Sequence, residues 1–460
     1  MSQLTNIVPP LQTSLIRQYT SLAIPTILSG WVYTIYTLID GIFIARYLGQ
    51  QAIAALNLVV PLLYIPYAFS IMIGVGGATL ISRLLGQNRH IEARRAFTQV
   101  LWSMLAISAI MSVFVLVLTS KIAKWLGATG ELAMHAEAYL SNYAWFILFA
   151  NGLYAIELFL RVESAKAARF GLYAMFIGAI TNGALDYWFI VVENRGMAGA
   201  ALATGLSMMV SSLGMFSYHI LFAKRVIPLT VPFAKGESYI SKVLYNGTSE
   251  FLDAIAPLIT ILAFNRIIMN GFGEAGLAAF AILEYMTLGA AVTLVALVQS
   301  MQPMISFYRG MQNRQALRGS FKLGIIAAAG FSMLAAIGMM TLSRPLTFLF
   351  LPEGEIAWHI LTHAIPWYAL SLLPAAGNLI IAGYLTAIEA PGPSAVIATL
   401  RSWILLLGSL WLLNTYFGGT AIWYALLITE ILTLVASIWL YSIVDRGDRG
   451  DRAFADITLR

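Results

Sequence analysis

The chain has 460 residues, of which 60% are apolar and only 10% are charged. Soluble domains carry roughly 25% charged residues, so this composition excludes an ordinary cytosolic enzyme, a disordered chain and a nucleic-acid-binding protein. The formal net charge of +6 comes from basic residues in short loops between apolar runs, which indicates membrane orientation rather than an anionic partner. The absence of cysteine excludes disulfides, thiolate catalysis and cysteine-bound metals.

Apolar stretches follow one another along almost the whole chain. A membrane-spanning helix needs about 20 apolar residues, and twelve stretches reach that length. Most are broken only by Gly, Pro, Ser or Thr, which membrane helices tolerate. In the second stretch, Gly74, Gly76 and Gly77 favour close helix packing. The predicted spans are 18–46, 53–82, 96–119, 136–160, 168–192, 198–222, 240–269, 276–306, 321–350, 357–387, 393–414 and 420–443.

A polar connection at the midpoint separates six spans from six. Residues 224–238 contain two prolines and four charged side chains. Several identities also recur at a constant offset of 224 residues, without gaps: Gly49 and Gly273, Gly86 and Gly310, Arg94 and Arg318, Phe97 and Phe321. Same-direction repeats of six spans are typical of two-lobed transporters.

These observations predict an all-α polytopic membrane protein with two six-helix lobes related by pseudo-two-fold symmetry. The N-terminal lobe covers 1–223, a cytoplasmic linker 224–238, the C-terminal lobe 239–445 and a cytoplasmic tail 446–460. Of the 27 Lys and Arg residues, 20 lie at the termini or in loops after even-numbered spans. This excess predicts that both termini are cytoplasmic, in a multi-pass protein of the cell inner membrane. Lipid-specific binding is the alternative explanation of the basic loops.

Two aspartates lie deep inside predicted spans of the first lobe, Asp40 in span 1 and Asp186 in span 5. An aspartate at the centre of a membrane helix costs roughly 2.5–3.5 kcal/mol on insertion scales. No Lys, Arg or His lies at a similar depth in this lobe. The carboxylates must therefore be protonated, hydrogen-bonded or neutralised by a bound cation.

Helical spacing places further oxygen atoms beside these carboxylates. Asn182 lies four residues before Asp186, Tyr36 lies four residues before Asp40, and Thr204 lies in span 6. Oxygen ligands of this kind suit a hard cation such as Na⁺, and a buried, mutually repelling carboxylate pair also holds a proton more readily than in water. The alternative is a hydrogen-bonded polar cluster that only holds helices together.

The second lobe does not repeat this pair, since Phe264 and Leu410 stand at the equivalent positions. Its carboxylates lie elsewhere, at Glu250 and Asp253 in span 7, Glu284 in span 8 and Glu430 in span 12. Glu250 and Asp253 are near a span end, so an interfacial position is the alternative to a buried one. Glu284 and Glu430 are candidate contacts for cationic substrates, with Arg401 as an alternative partner.

As a set, these residues resemble the multidrug and toxic compound extrusion (MATE) family, and most closely its DinF-like branch. The resemblance covers the whole membrane region. Its sharpest part is an aspartate in span 1, a proline fifteen residues before it, Asn-x-x-x-Asp in span 5 and a threonine in span 6. Here these are Pro25, Asp40, Asn182, Asp186 and Thr204, and the position of Tyr36 also matches.

The resemblance implies a secondary active exporter of organic cations and amphipathic drugs, coupled to H⁺ or Na⁺ by alternating access. It implies that span 1 bends near Pro25; a static kink is the alternative. It also implies that Asp40, Asn182, Asp186 and Thr204 form the cation site, and that they are the Na⁺ ligands if Na⁺ binds. No cofactor beyond the coupling ion is expected, and the expected partners are small-molecule drugs and the bilayer, for a monomeric protein that binds no nucleic acid.

Two departures from the family pattern bear on mechanism. The NorM-like branch places coupling carboxylates in spans 7 and 10, but span 10 here has no Asp or Glu before Glu389, which argues against that mechanism. Ser164 stands after span 4 where relatives often have Gly. A lipid-linked oligosaccharide flippase of related fold is the second hypothesis, although the sequence offers mainly Arg401 at depth as a phosphate ligand and its buried charges are acidic. An enzyme is not expected, since no catalytic constellation is present.

Overall fold

The computed structural model describes residues 14–223, 238–350 and 354–458, and these are almost entirely helical. In the first half, α1 to α7 are Leu15–Phe43, Gln50–Gly86, His90–Trp125, Gly130–Tyr143, Ile147–Glu163, Ala165–Asp186 and Gly196–Leu221. In the second half, α8 to α15 are Ile240–Asn246, Thr248–Gly310, Arg314–Thr341, Ser343–Phe350, Ile356–Ala387, Pro391–Thr399, Leu405–Tyr416 and Ala425–Thr458.

Within the described residues, eleven continuous helices are long and apolar enough to cross a membrane. One of them, α9, is 63 residues long and is interrupted at Gly273, whose φ of 62° and ψ of −152° are not helical. Because α9 is therefore two spans, the all-α, twelve-span fold predicted from the sequence is confirmed. A short helix, α8, precedes Gly247 inside the region predicted as the start of span 7.

Backbone conformation recurs at the offset of the sequence repeat. Gly49, between the first two spans, has φ 86° and ψ −173°, in the region that is essentially restricted to glycine. Gly273, which lies 224 residues later, is in the same region. Asn88 and Gln312 also stand at this offset and have φ values of 59° and 56°. The repeat is therefore a property of the fold as well as of the sequence.

Contacts divide the chain into two compact units. The first holds the described residues up to Gly247 together with Ser306–Leu317, and the second holds Thr248–Ile305 and the described residues from Arg318 onward. Residues 224–237, nearly all of the predicted linker, lie outside the described residues. The predicted boundaries of lobes, linker and tail stay predictions.

In the first unit, glycines allow helix backbones to touch. A Cβ atom at Gly76 would overlap the carbonyl oxygen of Val243, and one at Gly77 would lie 3.1 Å from the side chain of Val100. This confirms the close packing that the glycines of span 2 predict. Gly86 and Gly310 face each other at the ends of α2 and α9, where a Cβ atom on either would lie 3.1 Å from the other's Cα.

Ser164, the departure from the family pattern, begins α6. Its backbone is extended, and its hydroxyl accepts a hydrogen bond of 3.1 Å from the backbone N–H of Ala167. Serine is a preferred residue at this N-terminal capping position. The substitution therefore gives α6 a cap without straining the loop.

Candidate functional site

Three helices of the first unit carry the predicted site. Asp40 lies on α1, Asn182 and Asp186 lie at the end of α6, and Thr204 lies on α7. Helix α6 approaches α7 closely because Gly178 leaves room for Ser211, whose hydroxyl donates a hydrogen bond of 3.2 Å to the carbonyl oxygen of Ala174.

All four site residues are buried, with exposed fractions between 0% for Asn182 and Asp186 and 6% for Thr204. The carboxylate of Asp40 lies close to the side chains of Asp186 and Thr204. Tyr36 lies within electrostatic range of Asp40. The structure therefore brings together the five residues that the sequence singles out for cation or proton binding.

Most polar atoms of this site lack a hydrogen-bond partner of good geometry among the described residues. This applies to both oxygens of Asp186, to Oδ1 of Asp40, to the amide oxygen and nitrogen of Asn182, and to the hydroxyl of Tyr36. The hydroxyl of Thr204 donates to the carbonyl oxygen of Ala200 at 3.0 Å, so its own oxygen remains able to accept. Buried polar groups are normally satisfied. A cluster of unsatisfied oxygens points to a ligand or a proton.

Each carboxylate of the site is followed by a π-helical segment. Ile44–Leu48 begins four residues after Asp40, and Tyr187–Val192 begins directly after Asp186. Such segments weaken the regular helical hydrogen-bond pattern and occur frequently at functional sites. They widen the helix next to the two carboxylates.

Sequence reasoning missed a cluster of tyrosines around this site. Tyr139 has 3% of its surface exposed and interacts with both Thr204 and Asp40, and its ring stacks on that of Tyr143 with centroids 5.8 Å apart. Tyr154 donates a hydrogen bond of 2.7 Å to the hydroxyl of Tyr33, which lies one turn from Tyr36. The four-residue spacing of Tyr139 and Tyr143 was the available signal, but such spacing is also common in apolar cores.

Pro25 is buried within α1, which continues as a helix on both sides of it. A proline inside a helix removes one backbone hydrogen bond and weakens the helix there. The position is thus compatible with bending, and the hinge stays a prediction.

In the second unit, Glu430 and Arg401 form an ion pair, with Nε of Arg401 2.8 Å from Oε1 of Glu430. The other oxygen of Glu430 accepts a hydrogen bond of 2.7 Å from the amide of Asn378. Glu430 is 2% exposed. Of the two roles predicted for Glu430, the structure shows the contact with Arg401; the direct substrate contact stays a prediction.

The other carboxylates of the second unit differ in their surroundings. Glu250 accepts a hydrogen bond of 2.9 Å from the amide of Gln302, and Asp253 accepts one of 3.2 Å from the hydroxyl of Ser402. Glu284 is exposed and lies within electrostatic range of Tyr368, a buried residue. Its role as a substrate contact stays a prediction.

Among the described residues, no group of three or more His, Cys, Asp or Glu side chains could hold a metal ion. A metal cation at Asp40 and Asp186 would therefore need the amide oxygen of Asn182 and the hydroxyl oxygen of Thr204 as additional ligands. These two neutral oxygens are of the kind that Na⁺ accepts.

Comparison with known proteins decides the family. The sequence profile of the MatE family matches residues 25–188 and 241–411, which is well over half of the chain. The chain belongs to the MATE family. It is a multi-pass membrane protein of a family of transporters, and the family predicted from the sequence is confirmed.

Relatives of this MATE protein are similar to it along nearly their full length. It is 24% identical to the multidrug export protein MepA of Staphylococcus saprophyticus over 440 residues, or 95% of each chain. It is also 24% identical to MepA of Staphylococcus aureus, over 92% of this chain and 93% of that one.

Solved structures share the fold. A crystal structure of MATE in complex with MaL6 aligns with a TM-score of 0.90 at 21% identity, over 97% of this chain and 100% of that chain. The Vibrio cholerae MATE transporter VcmN aligns with a TM-score of 0.87 at 19% identity, over 94% of this chain and 97% of that one. At these identities the similarity concerns the fold.

Proposed function

We propose that this MATE protein is a secondary active multidrug exporter of the DinF-like branch, which exchanges organic cations and amphipathic drugs for H⁺ or Na⁺. The coupling site consists of Asp40, Asn182, Asp186 and Thr204, with Tyr36 beside Asp40. The observation that carries the proposal is the pair of buried carboxylates, three of whose four oxygens lack hydrogen-bond partners among the described residues. The export of drugs is supported by the MepA relatives, which are multidrug export proteins.

A permanent negative charge on the carboxylates of this site is energetically unfavourable. Burying an unpaired carboxylate is very costly, so such a group normally neutralises or finds a partner. Neither Asp40 nor Asp186 has an ion pair within the described residues. A proton shared by the two carboxylates, or a Na⁺ held by four oxygens, removes the charge. Because either ion can leave, the site can alternate between a loaded and an empty form.

Coupling then follows from linkage. An ion that binds one conformation more tightly than another shifts the equilibrium by its differential affinity, and a drug that prefers the opposite conformation opposes it. The π-helical segments after Asp40 and Asp186, together with Pro25 in α1, are places where these helices deform most easily. In this proposal, ion binding at the end of α1 and α6 favours one arrangement of the helices and drug binding the other.

The flippase hypothesis is less favoured. A site for lipid-linked phosphate needs accessible basic side chains, whereas the charged groups at the candidate site of the first unit are both carboxylates. Arg401, the main basic residue inside the predicted spans, lies in the second unit, where its Nε atom pairs with Glu430. From the excess of Lys and Arg at the termini and in the loops after even-numbered spans, we also propose an inner-membrane protein with both termini in the cytoplasm. We further propose that it acts as a monomer.

The direct test uses the purified full-length protein in proteoliposomes loaded with ethidium. A pH gradient or a Na⁺ gradient is imposed separately, and efflux is followed by fluorescence. We expect one of the two gradients to drive efflux, and we expect Asp40→Asn and Asp186→Asn to abolish it while the protein remains folded in the membrane. Glu131→Gln is the matched control, because that carboxylate is 62% exposed.

The outcomes separate the parts of the proposal. Ethidium efflux driven by a pH gradient would identify H⁺ as the coupling ion, and efflux driven by a Na⁺ gradient at fixed pH would identify Na⁺. Normal gradient-driven efflux by folded Asp40→Asn protein would remove Asp40 from the coupling site. Efflux that continues at an unchanged rate when both gradients are collapsed would contradict antiport itself.

A further inference from the structure

The turn between α6 and α7 folds back onto the π-helical segment that follows Asp186. The indole N–H of Trp188 donates a hydrogen bond of 2.7 Å to Glu193, whose other carboxylate oxygen pairs with Arg195. The guanidinium of Arg195 lies over the ring of Phe189, with its Cζ atom 5.1 Å from the ring centroid, within the range of a cation–π contact. We call these four residues, Trp188, Phe189, Glu193 and Arg195, the clasp.

The backbone of the clasp holds the π-helical register. The N–H of Glu193 donates a hydrogen bond of 2.9 Å to the carbonyl oxygen of Trp188, five residues earlier. The N–H of Arg195 donates one of 2.9 Å to the carbonyl oxygen of Phe189, six residues earlier. Between them, Asn194 has a φ of 54°, a left-handed conformation that asparagine adopts more readily than most residues. Backbone and side-chain contacts therefore close the same turn.

The segment held by the clasp packs tightly against its surroundings. Ile190 is 2% exposed and belongs to the apolar core of the first unit. A Cβ atom at Gly199 on α7 would lie 3.0 Å from the Cβ atom of Phe189. The segment also contacts the π-helical segment that follows Asp40. A shift of its helical register would therefore be felt at α7 and α1, which carry the partners of Asp186.

The second half of the chain provides an internal comparison. The equivalent backbone, at 411–416, is regular α-helix within α14, and the equivalent of the π-helical segment after Asp40, at 268–272, is regular α-helix within α9. A third π-helical segment of the described chain, Leu400–Ile404, lies at a different position of the repeat. At the repeat offset, the aspartate and all four clasp residues are replaced, by Leu410, Leu412, Leu413, Phe417 and Gly419. The aspartate, the π-helical segment and the clasp are thus present together in one half and replaced together in the other.

The clasp opposes a change of helix type beside the carboxylates. A π-helical segment contains one more residue than the α-helix that it replaces. Conversion to α-helix would pass that residue to the turn at 193–196 and would rotate the end of the helix by about 100°. The contacts of Trp188 and Phe189 with the turn would then be lost. The clasp therefore stabilises the π-helical form.

We propose that the clasp positions the ion site through Trp188, Glu193 and Arg195. It holds the end of α6 in the form that places Asp186 beside Asp40. Because the oxygens of the site come together while the clasp is closed, the clasp favours the ion-loaded form. By linkage, ion binding at Asp186 must tighten the clasp as much as the clasp tightens ion binding. The proposal rests on the proposed function and adds residues that set its ion affinity.

The action of the clasp on the site is conformational rather than electrostatic. The titratable groups that face the carboxylate pair are Tyr33 and Tyr36 on α1 and Tyr139 on α4, and the clasp contributes none of them. The ion pair of the clasp joins opposite charges, which largely cancel at a distance. Trp188→Phe, which removes a hydrogen bond and no charge, should therefore weaken ion binding as the loss of Arg195 does.

Trp188 reports directly on the clasp, because its indole ring is part of it. The purified full-length protein is titrated with NaCl at fixed pH and constant ionic strength, and separately with acid. The contribution of Trp188 is the difference in fluorescence between the unmodified protein and Trp188→Phe. We expect it to change with the ion that drives ethidium efflux, and to stay constant in an Asp186→Asn background. Trp125, which is 83% exposed, is the control, and its contribution, measured with Trp125→Phe, should not follow the ion.

Substitution of Arg195 tests the linkage from the other side. Arg195→Gln should raise the ion concentration for half-maximal efflux by about fivefold or more, the lower end of typical coupling between sites, and should leave the maximal rate unchanged. Arg195→Lys keeps the charge beside Glu193 and should restore most of the affinity. Lys124→Gln, at an exposed position, should have no effect. A merely structural role would instead lower the amount of folded protein at an unchanged ion dependence.

Two results would overturn the proposal. One is a fluorescence contribution of Trp188 that stays constant while the ion drives efflux, and the other is an unchanged half-maximal ion concentration in folded Arg195→Gln protein. If that variant does not fold, Trp188→Phe and the titration of the unmodified protein decide in the same way. Either result would leave the export function intact. Absence of gradient-driven ethidium efflux in the unmodified protein would instead refute the export function.

Discussion

Removing the charge of a buried carboxylate should raise the stability of the folded protein at Asp186 in the first unit and lower it at Glu430 in the second unit. Asp186 has 0% exposure, and neither of its oxygens has a hydrogen-bond partner of good geometry among the described residues. An unsatisfied buried polar group costs about 1–3 kcal/mol, and a charged one costs more. We therefore expect Asp186→Asn to stabilise the folded protein by about 1–3 kcal/mol at pH 8, because the amide is uncharged and able to donate to Asp40.

Glu430→Gln should instead destabilise the folded protein. Both oxygens of Glu430 are hydrogen-bonded, to Arg401 and Asn378, and breaking a buried ion pair costs about 3–5 kcal/mol. Because Arg401 is partly exposed, the lower end of this range applies. The two substitutions are chemically alike, and the difference between them isolates the effect of the surroundings.

The measurement is thermal unfolding of the purified protein in detergent, followed by tryptophan fluorescence. A change of 1 kcal/mol shifts Tm by about 2–4 °C in domains of 150–250 residues, so Asp186→Asn should raise Tm by a few degrees and Glu430→Gln should lower it. The gain from Asp186→Asn should be smaller at pH 5 than at pH 8, because a proton bound by the carboxylate pair removes the same charge. A drop in Tm for Asp186→Asn at both pH values would identify Asp186 as a structural hydrogen-bonding residue.

Further substitutions test the packing, the hinge and the tyrosine cluster. Gly86→Ala should destabilise the protein by about 2 kcal/mol or more, since overpacking typically costs 1–3 kcal/mol. Gly338→Ala should stabilise it by up to about 1 kcal/mol, because a Cβ atom at Gly338 meets open space. Thermal unfolding compares the two variants. Pro25→Ala should leave the protein folded but slow ethidium efflux several-fold, and unchanged efflux would exclude a hinge there. Tyr154→Phe should lower the stability of the folded protein by about 1 kcal/mol, because it loses the hydrogen bond to Tyr33. Tyr218→Phe should leave the stability unchanged, because the hydroxyl of Tyr218 has no hydrogen bond to the described residues.

The sequence was sufficient to predict the number of spans, and it singled out residues of the first unit that the structure places close together. Span length depends only on the apolar run needed to cross the bilayer, so composition determines it. Asp40 and Asp186 stand out because carboxylates are rare in such runs. Four-residue spacing then fixes Asn182 as a neighbour of Asp186, because both lie on one face of a helix.

Other features depended on contacts between helices that no spacing rule reveals. Tyr139 reaches Thr204 from a different helix, and an isolated tyrosine in an apolar run looks the same whether it borders a site or fills a core. The π-helical segments have no established sequence signature. The sequence named Arg401 only as an alternative partner of Glu430, because the two residues are 29 positions apart. Their pairing appears when the π-helical segment Leu400–Ile404 packs against α15.

The close contact between Gly86 and Gly310 gives a steric reason for one of the sequence identities between the two halves. These glycines occupy the same place in the two copies of the repeat and touch each other, so neither can acquire a side chain unless the other yields. Most positions of a duplicated chain are free to diverge independently, as Asp40 and Phe264 have done. A residue that packs against its own counterpart has no such freedom, and the symmetry of the ancestral duplication should therefore persist longest where the two copies touch.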